Sequence, residues 1–415
     1  MRYCFIHQNL PGQFGHLIKA LCDDPANEVW GIVDSRASRR AQHVHERLNL
    51  ISYSMPAAAP APGATSTVHP YLRDVDPQVR RGQVVASVLL KLKTSGRTPD
   101  LIVVHPGWGE ALFVRDIFPE VRLLTYFEFF YASKGADVGF DPEFPSSRDQ
   151  ELRLRMRNSV FLSALNDCDA GLAPTLWQKT RFPEHFQSKI ALIHEGVDTA
   201  AIAPNADASF AIDGHVFKPG DPVVTFVARN LEPYRGFHVF MRALPRMLES
   251  NPGMHAIVVG ADGVSYGGRR ADGRTWRAAL MEEVGSRIDP GRLHFAGRLP
   301  FAQYLEVLQV SAAHVYLTYP FVLSWSMVEA MAAGCLVIGS RTPPVEEVLE
   351  HGRNGLLVDL FDQAGWQEAI GAALSSGAKM RAIREAARQT AVERFDRKSV
   401  CLPRALSLVK SLATG

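Results

Sequence analysis

The sequence predicts an α/β protein built from two doubly wound parallel-sheet domains. Three observations carry this prediction. Short apolar runs alternate with helical patterns along nearly the whole chain. The alternation lapses once, near Asp198, and then restarts. The 415 residues exceed what one ordinary core accommodates and suit two domains. Strand–helix alternation of this kind builds a parallel sheet covered by helices on both faces.

The elements of the first half follow in order. "YCFIHQ" reads as a strand and "NLPGQFGHLIKALC" as a Pro/Gly turn entering a helix, with "EVWGIVD" as the next strand. Met55–Ser66, "MPAAAPAPGATS", reads as a proline-rich loop, and Gln78 to Lys93 as a helix. "DLIVVHPGWGEALFVRDIF" gives strand, glycine turn and helix, and "RLLTYFEFF" gives another strand. Arg148 to Leu165 reads as one long amphipathic helix, and "KIALIHEGVD" as a strand. "TAAIAPNADASFAIDGHVFKPGDP" has little periodicity and is expected to be the crossing between domains.

The second half then runs "VVTFVARN", "HAIVVG", "RLHFAG", "AHVYLTY", "CLVIGS" and "GLLVD" as strands with helices between, and ends in a helical segment from about Ala364 to Ala413. The expected division is a Rossmann-like domain over residues 1–200, a second over 201–395, and a closing helix over 396–415 that packs back toward the first. Two such domains are expected to face each other across a cleft, with ligands beyond the carboxyl ends of the strands.

Composition narrows the function. Net charge is 45 − 43 = +2, so charge makes no case for nucleic acid or an anionic membrane. The five cysteines are scattered without a Cys-x-x-Cys pair, as free thiols in a reducing compartment are. The N-terminus enters a strand without a signal-peptide apolar region, and no apolar run is long enough to span a membrane. A cytoplasmic chain is expected, at most peripheral at the inner face of the membrane. Arg148, Arg153, Arg155 and Arg157 share a helix with Asp149 and Glu151. A mixed solvated face is the plain reading, and contact with a membrane surface or an anionic acceptor is the sharper one.

Candidate site residues fall at strand ends. In "FVLSWSMVEAMAAGC", Ser324 or Ser326 can cap a short helix carrying Glu329 in its first turn, with Gly334 ending it. A helix start after a strand offers free N–H groups to phosphate. Arg229 and Arg235 in "VARNLEPYRGF" flank a strand–helix junction, where two guanidiniums suit a diphosphate. "FAGRLP" ends a strand in a glycine turn at Gly297, Arg298 and Leu299, whose amides can read a base edge. In the first half, Gly12 and Gly15 of "PGQFGH" allow close backbone approach. His105 ends a strand before Trp108 and Glu110, and reads either as functional or as a satisfied structural histidine. Glu128 in "TYFEFFY" is an acid among aromatics, where a carboxyl's pKa can rise, or a capped strand end.

The ordered set "ARNLEPYRG", "AGRLP", "EAMAAGCLVIGS" and "EEVLEHGRNGLLV" resembles the retaining glycosyltransferases of family 4, which have the GT-B fold. The "FIHQNLPGQFGHL" and "HPGWGEALFVRDIFPE" segments look like a bacterial subgroup. The resemblance implies transfer of a sugar from a nucleoside-diphosphate sugar, UDP- or GDP-linked, to a glycan, glycolipid or other hydroxyl acceptor in polysaccharide or glycolipid assembly. It implies that Glu329 binds the donor ribose, that Arg229 and Arg235 hold the diphosphate, and that Leu323, Ser324, Trp325 and Ser326 contact phosphate and sugar. It places the Gly12–Gly15 loop near donor phosphate and acceptor, and Glu128 where a polar residue approaches the reacting sugar. Two departures stand out. Phe321 occupies the position eight residues before Glu329 where the family usually has a second glutamate, and the second basic residue is Arg235 rather than lysine, one residue further along.

No cofactor, resident metal or nucleic-acid partner is expected. Asp74-Val-Asp76 reads as a helix cap and Asp167-Cys-Asp169 as a helix end, rather than as metal ligands. A nicotinamide oxidoreductase is disfavoured because the first strand lacks a Gly-x-Gly-x-x-Gly turn. A non-catalytic nucleotide-sugar or glycan-binding protein and a nucleotide-sugar epimerase or hydrolase remain as alternatives. Oligomeric state is not readable from the sequence.

Overall fold

The computed structural model describes residues 1–56, 68–375 and 377–414. Most of the proline-rich loop lies outside the described residues. The chain forms two compact units, one of Met1–Glu195 with Cys401–Gly415 and one of Gly196–Val400.

Unit 1 contains β1 (Arg2–Ile6), β2 (Glu28–Asp34), β3 (Leu48–Tyr53), β4 (Leu101–Val104), β5 (Arg122–Tyr126), β6 (Ala170–Ala173) and β7 (Ile190–Leu192). They form one sheet in the order β3-β2-β1-β4-β5-β6-β7, parallel throughout. Successive side chains on a strand point to opposite faces, and both faces are apolar here. Cys4 and Ile6 enter one core with Leu89 and Phe118, while Tyr3 and Phe5 enter the other with Leu17 and Val409. The second core includes Leu402, Ala405 and Leu406 of the terminal helix Leu402–Thr414. All five cysteines are buried free thiols.

Unit 2 contains β8 (Phe210–Ile212), β9 (His215–Phe217), β10 (Val223–Asn230), β11 (His255–Ala261), β12 (Leu293–Gly297), β13 (Ala313–Tyr316), β14 (Leu336–Ser340) and β15 (Leu356–Val358). Six form a parallel sheet in the order β12-β11-β10-β13-β14-β15, and β8 and β9 form an antiparallel hairpin. Gly236 launches the helix Phe237–Ser250 at φ 64°, and a Cβ there would stand 2.3 Å from the Leu317 side chain. No described helix is long and apolar enough to cross a membrane.

Several expected elements are corrected. β3 and β6 are strands that the periodicity did not reveal, because "LNLISY" mixes polar residues into a strand and "AGLA" is short and small. The long helix is two, Arg148–Arg157 and Ser159–Asp167, broken at Asn158. Asn158 itself keeps helical dihedrals, and its side chain accepts from the Tyr131 N–H (3.1 Å) and donates to the Tyr131 carbonyl (2.7 Å), pinning the junction to that segment. The aperiodic crossing holds the β8–β9 hairpin, whose Asp213–Gly214 turn has φ of 50° and 79°. Asp-Gly between apolar residues is the usual signal for such a turn. Asp74 takes a cap position, but its carboxylate pairs with Arg153 at 2.7 Å instead of capping.

Candidate functional site

In each unit the strand order reverses once, between β1 and β4 in unit 1 and between β10 and β13 in unit 2. Ligands in open α/β sheets bind at such switch points, beyond the strand carboxyl ends.

In unit 1, His7 follows β1 and His105 follows β4. Both are buried, and their ring centroids lie 5.1 Å apart. The Asn9 N–H donates to His7 Nδ1 (2.8 Å), so the neutral ring carries its proton on Nε2, which faces Gln13 Oε1 at 3.1 Å. Gln13 Nε2 in turn donates to Glu128 Oε1 at 3.1 Å. Burial, and then the neighbouring His105, hold His7 well below the ordinary histidine pKa, so it is neutral at pH 7. His105 accepts from the Gly107 N–H at Nδ1 (3.1 Å), and its Nε2 lies 3.6 Å from Glu128 Oε2. That Nε2 is buried without a hydrogen-bond partner. Trp108 stacks on His105 at 4.5 Å between centroids. Glu110 accepts from the Gln8 N–H at 3.0 Å, and burial pushes its carboxyl up.

Of the expected unit 1 residues, His105, Glu128 and Gly12 meet around this network. A Cβ on Gly12, at φ 49°, would stand 2.8 Å from His7 Nε2, so the loop's approach needs glycine. Gly15 opens the helix Gly15–Asp23 and packs against Pro11. His7 and Gln13 were not singled out in the sequence, although "FIHQ" places His7 at a strand end, the one signal that points to it.

In unit 2, Arg229 is exposed near the end of β10 and Arg235 is buried in the turn that follows. Arg235 Nη1 donates to Thr318 Oγ1 (2.9 Å), the Val322 carbonyl (3.0 Å) and Tyr316 Oη (3.4 Å). The Ser324 N–H donates to the same Tyr316 oxygen at 2.7 Å. One phenol at the end of β13 thus joins the arginine turn to the start of the next helix. Burial pushes that phenol's pKa up. Ser324 caps the helix Trp325–Ala332, its side chain accepting from the Ser326 N–H. The helix starts earlier than its strong helix formers indicated, so Glu329 lies in the second turn rather than the first. Tyr304 donates to Glu329 Oε2 at 2.7 Å; burial raises the Glu329 carboxyl, and the Tyr304 hydrogen bond opposes that rise.

Phe321 is 4% exposed. Its ring meets Tyr266 (4.9 Å) and Tyr234 (5.7 Å), and Tyr234 meets Tyr319 (5.0 Å). The Arg235 guanidinium lies 5.3 Å over the Tyr266 ring. Glu232 accepts from the N–H groups of Ser265 (2.9 Å), Tyr266 and Gly267 (2.9 Å), tying this loop down. Leu323 packs in the core with Met327, and Trp325 is 41% exposed. Gly297 (φ 65°) ends β12, two strands from the switch point; the exposed Arg298 follows it, and Leu299 packs against the core.

Both Asp-x-Asp pairs are engaged by arginine. Asp76 pairs with Arg80 (2.7 Å) and Asp169 with Arg115 (2.8 Å). On the broken helix, Arg153 pairs with Asp74, and Arg157 lies 3.7 Å over the Tyr131 ring.

Residues 25–202 match the family model of the glycosyl transferase family 4 group, and residues 209–390 that of the glycosyl transferases group 1. The chain thus carries a family 4 group domain and a group 1 glycosyl transferase domain in tandem, each a parallel-sheet unit of the GT-B type. Among curated relatives, it is 26% identical over 197 residues to the D-inositol 3-phosphate glycosyltransferase of Nocardia farcinica, covering 47% of this chain and 42% of the relative. It is 28% identical over 187 residues to the lipopolysaccharide core biosynthesis glycosyltransferase LpsE of Rhizobium meliloti, covering 44% and 48%. The matches therefore span less than half the length of these relatives. The fold is shared with HepE of Anabaena in complex with UDP, at TM-score 0.67 and 18% identity over 99% of this chain and 100% of that one. It is shared also with sucrose-phosphate synthase of Thermosynechococcus elongatus, at TM-score 0.72 and 16% identity over 100% of each chain.

Proposed function

We propose that this protein is a retaining, metal-independent glycosyltransferase that moves a sugar from a UDP- or GDP-linked donor to a glycan or glycolipid hydroxyl, in bacterial polysaccharide or glycolipid assembly. The observation that supports the reading is the Tyr316 link at the unit 2 switch point, which joins the Arg235 turn to the Ser324-capped helix start, with Glu329 one turn along that helix. HepE in complex with UDP-glucose and the lipopolysaccharide enzyme LpsE support the donor class and the setting.

Charge decides the assignment of roles. When the sugar–phosphate bond breaks, its electron pair goes to the phosphate oxygen and positive charge grows on the sugar ring. Fixed donors aimed at the phosphate stabilise that state. In this reading Arg229, Arg235 and the helix start at Ser324–Ser326 supply them, and Glu329 accepts from the donor ribose hydroxyls. The new bond joins the acceptor oxygen to the same sugar carbon on the same face, and the acceptor proton passes to the leaving phosphate oxygen. No protein nucleophile is needed. In unit 1, the His105 Nε2, which lacks a hydrogen-bond partner, and Glu128, held through Gln13, would hold a second, non-reacting hydroxyl of the acceptor, which would receive from His105 and donate to Glu128.

Thermal unfolding against a panel of nucleoside diphosphates tests the donor site. A ligand at 100 times its dissociation constant stabilises by about 2.7 kcal/mol. One base is expected to raise the melting temperature of the wild type but not of Glu329→Ala. If no nucleotide raises it, the donor reading fails. Product analysis with and without acceptor then separates transfer from hydrolysis, epimerisation or binding alone.

A further inference from the structure

Unit 2 gathers three histidines at the amino ends of its strands, opposite to the loops described above. His255 opens β11 and His294 is the second residue of β12. Ile257 pairs with His294 in the parallel register, so His255, two residues earlier, shares that face. His215 opens β9 across the hairpin turn and is exposed. One ligating nitrogen from each of the three lies within 4.8 Å of the others.

The geometry is that of a ligand set. His255 Nδ1 and His294 Nε2 are 3.1 Å apart. Two imidazole nitrogens bound to one ion at about 2.0–2.1 Å stand roughly 2.9–3.4 Å apart, for angles between square and tetrahedral. His294 Nδ1 lies 2.9 Å from Asp213 Oδ2. A carboxylate receiving Nδ1–H leaves the Nε2 lone pair for a metal, the outer arrangement typical of metal-bound histidine. The same turn, with Asp213 at φ 50° and Gly214 at φ 79°, both sets that carboxylate and launches His215. Phe217 walls the cluster, its ring 5.0 Å from His255 and 5.5 Å from His294. The nearby Arg292 directs its Nη1 to the carbonyls of Leu248, Asn251 and Pro252.

We propose that His215, His255 and His294 form a binding site for a divalent transition metal of the zinc class, with Asp213 orienting His294. The ion pins the β8–β9 hairpin to the amino edge of the sheet, and water completes the coordination on the exposed His215 side. Phe210 and Phe217 already seat the hairpin on Ile257 and Val259. The ion's role is structural, at the far end of the strands from the donor loops, so it adds no metal to the proposed chemistry.

The full-length protein, stripped of metal, is titrated with Zn²⁺ by calorimetry and melted with and without chelator. One saturable equivalent per chain is expected, with a melting temperature raised by Zn²⁺. His215→Ala changes an exposed side chain, so its fold persists, and it should weaken binding at least tenfold. Asp213→Asn keeps a residue tolerated in the turn and should weaken binding about 10–100-fold. Co²⁺ should give visible absorption that His215→Ala abolishes. No saturable binding, or the same affinity in wild type and His215→Ala, overturns the proposal.

Discussion

Tyr304→Phe isolates the bond that holds Glu329. The substitution keeps the ring and removes one hydroxyl, which donates to Glu329 Oε2 at 2.7 Å. A hydrogen bond to a charged acceptor contributes about 1.5–3 kcal/mol. In a unit of this size each kcal/mol moves the melting temperature by about 2–4 °C, so a fall of about 3–12 °C is expected without ligand. The pH dependence carries a sign. Burial raises the Glu329 carboxyl and Tyr304 opposes it, so the variant's carboxyl rises further. A carboxyl raised by folding costs nothing below its ordinary pKa of 4.5, and its cost appears as pH climbs through the folded value. The deficit of Tyr304→Phe should therefore be small near pH 4.5 and grow toward pH 8. Under the proposed role, nucleotide affinity should also fall off at a higher pH in the variant as the solution is acidified. Melts from pH 4 to 8 and calorimetric nucleotide titrations read both effects. An unchanged melting temperature, or a deficit that does not vary with pH, would refute the claim that the phenol holds an ionised carboxylate.

Three further outcomes are expected. His105→Ala and Glu128→Gln should cut transfer about 10²-fold by loosening the acceptor while nucleotide-induced stabilisation persists; its loss in either would show that their role is not confined to holding the acceptor. Burial pushes the Asp396 carboxyl up, but hydrogen bonds from Thr199 (2.5 Å) and Ser399 (2.7 Å) outweigh it and hold the pKa at about 2 against an ordinary 3.8. Its contribution is complete above pH 3.8 and disappears as pH falls through about 2, so Asp396→Asn should flatten that limb of an acid-unfolding curve. Phe321→Leu and Arg235→Lys both touch the Tyr266 ring, so a double-mutant cycle on melting should give a coupling of about 0.5–3 kcal/mol; strict additivity would contradict the shared packing.

What was legible follows from range. The strands of unit 2 were readable because each is a continuous apolar run flanked by turn residues, as in "HAIVVG" and "CLVIGS". β3 and β6 were not, because a strand at or near a sheet edge can be mixed or short and still pair. Arg229, Arg235, Ser324 and Glu329 stand out as candidates because they lie in local strand–turn–helix patterns. The links between them were hidden. Tyr316 joins Arg235 to Ser324 across 81 and 8 residues of sequence, and Gln13 reaches Glu128 across 115. Nothing local encodes such partners. The histidine cluster was missed for the same reason, since its members come from a hairpin and two strands 39 residues apart.

The two departures from the family pattern share one patch of the structure. Phe321 stands where a glutamate is usual, and its ring packs on Tyr266 at 4.9 Å. Arg235 stands where lysine is usual, and its guanidinium lies over the same ring at 5.3 Å. A planar, delocalised cation tolerates burial against an aromatic face better than a compact ammonium does. A carboxylate at position 321 would enter a site 4% exposed and surrounded by aromatic rings, at a desolvation cost that the phenyl ring avoids. The carboxylate of this neighbourhood is Glu232 instead, spent on three backbone N–H groups of the loop that carries Tyr266. The aromatic patch and the buried arginine thus pack as one unit on Tyr266, and Glu232 fixes the loop that carries that ring.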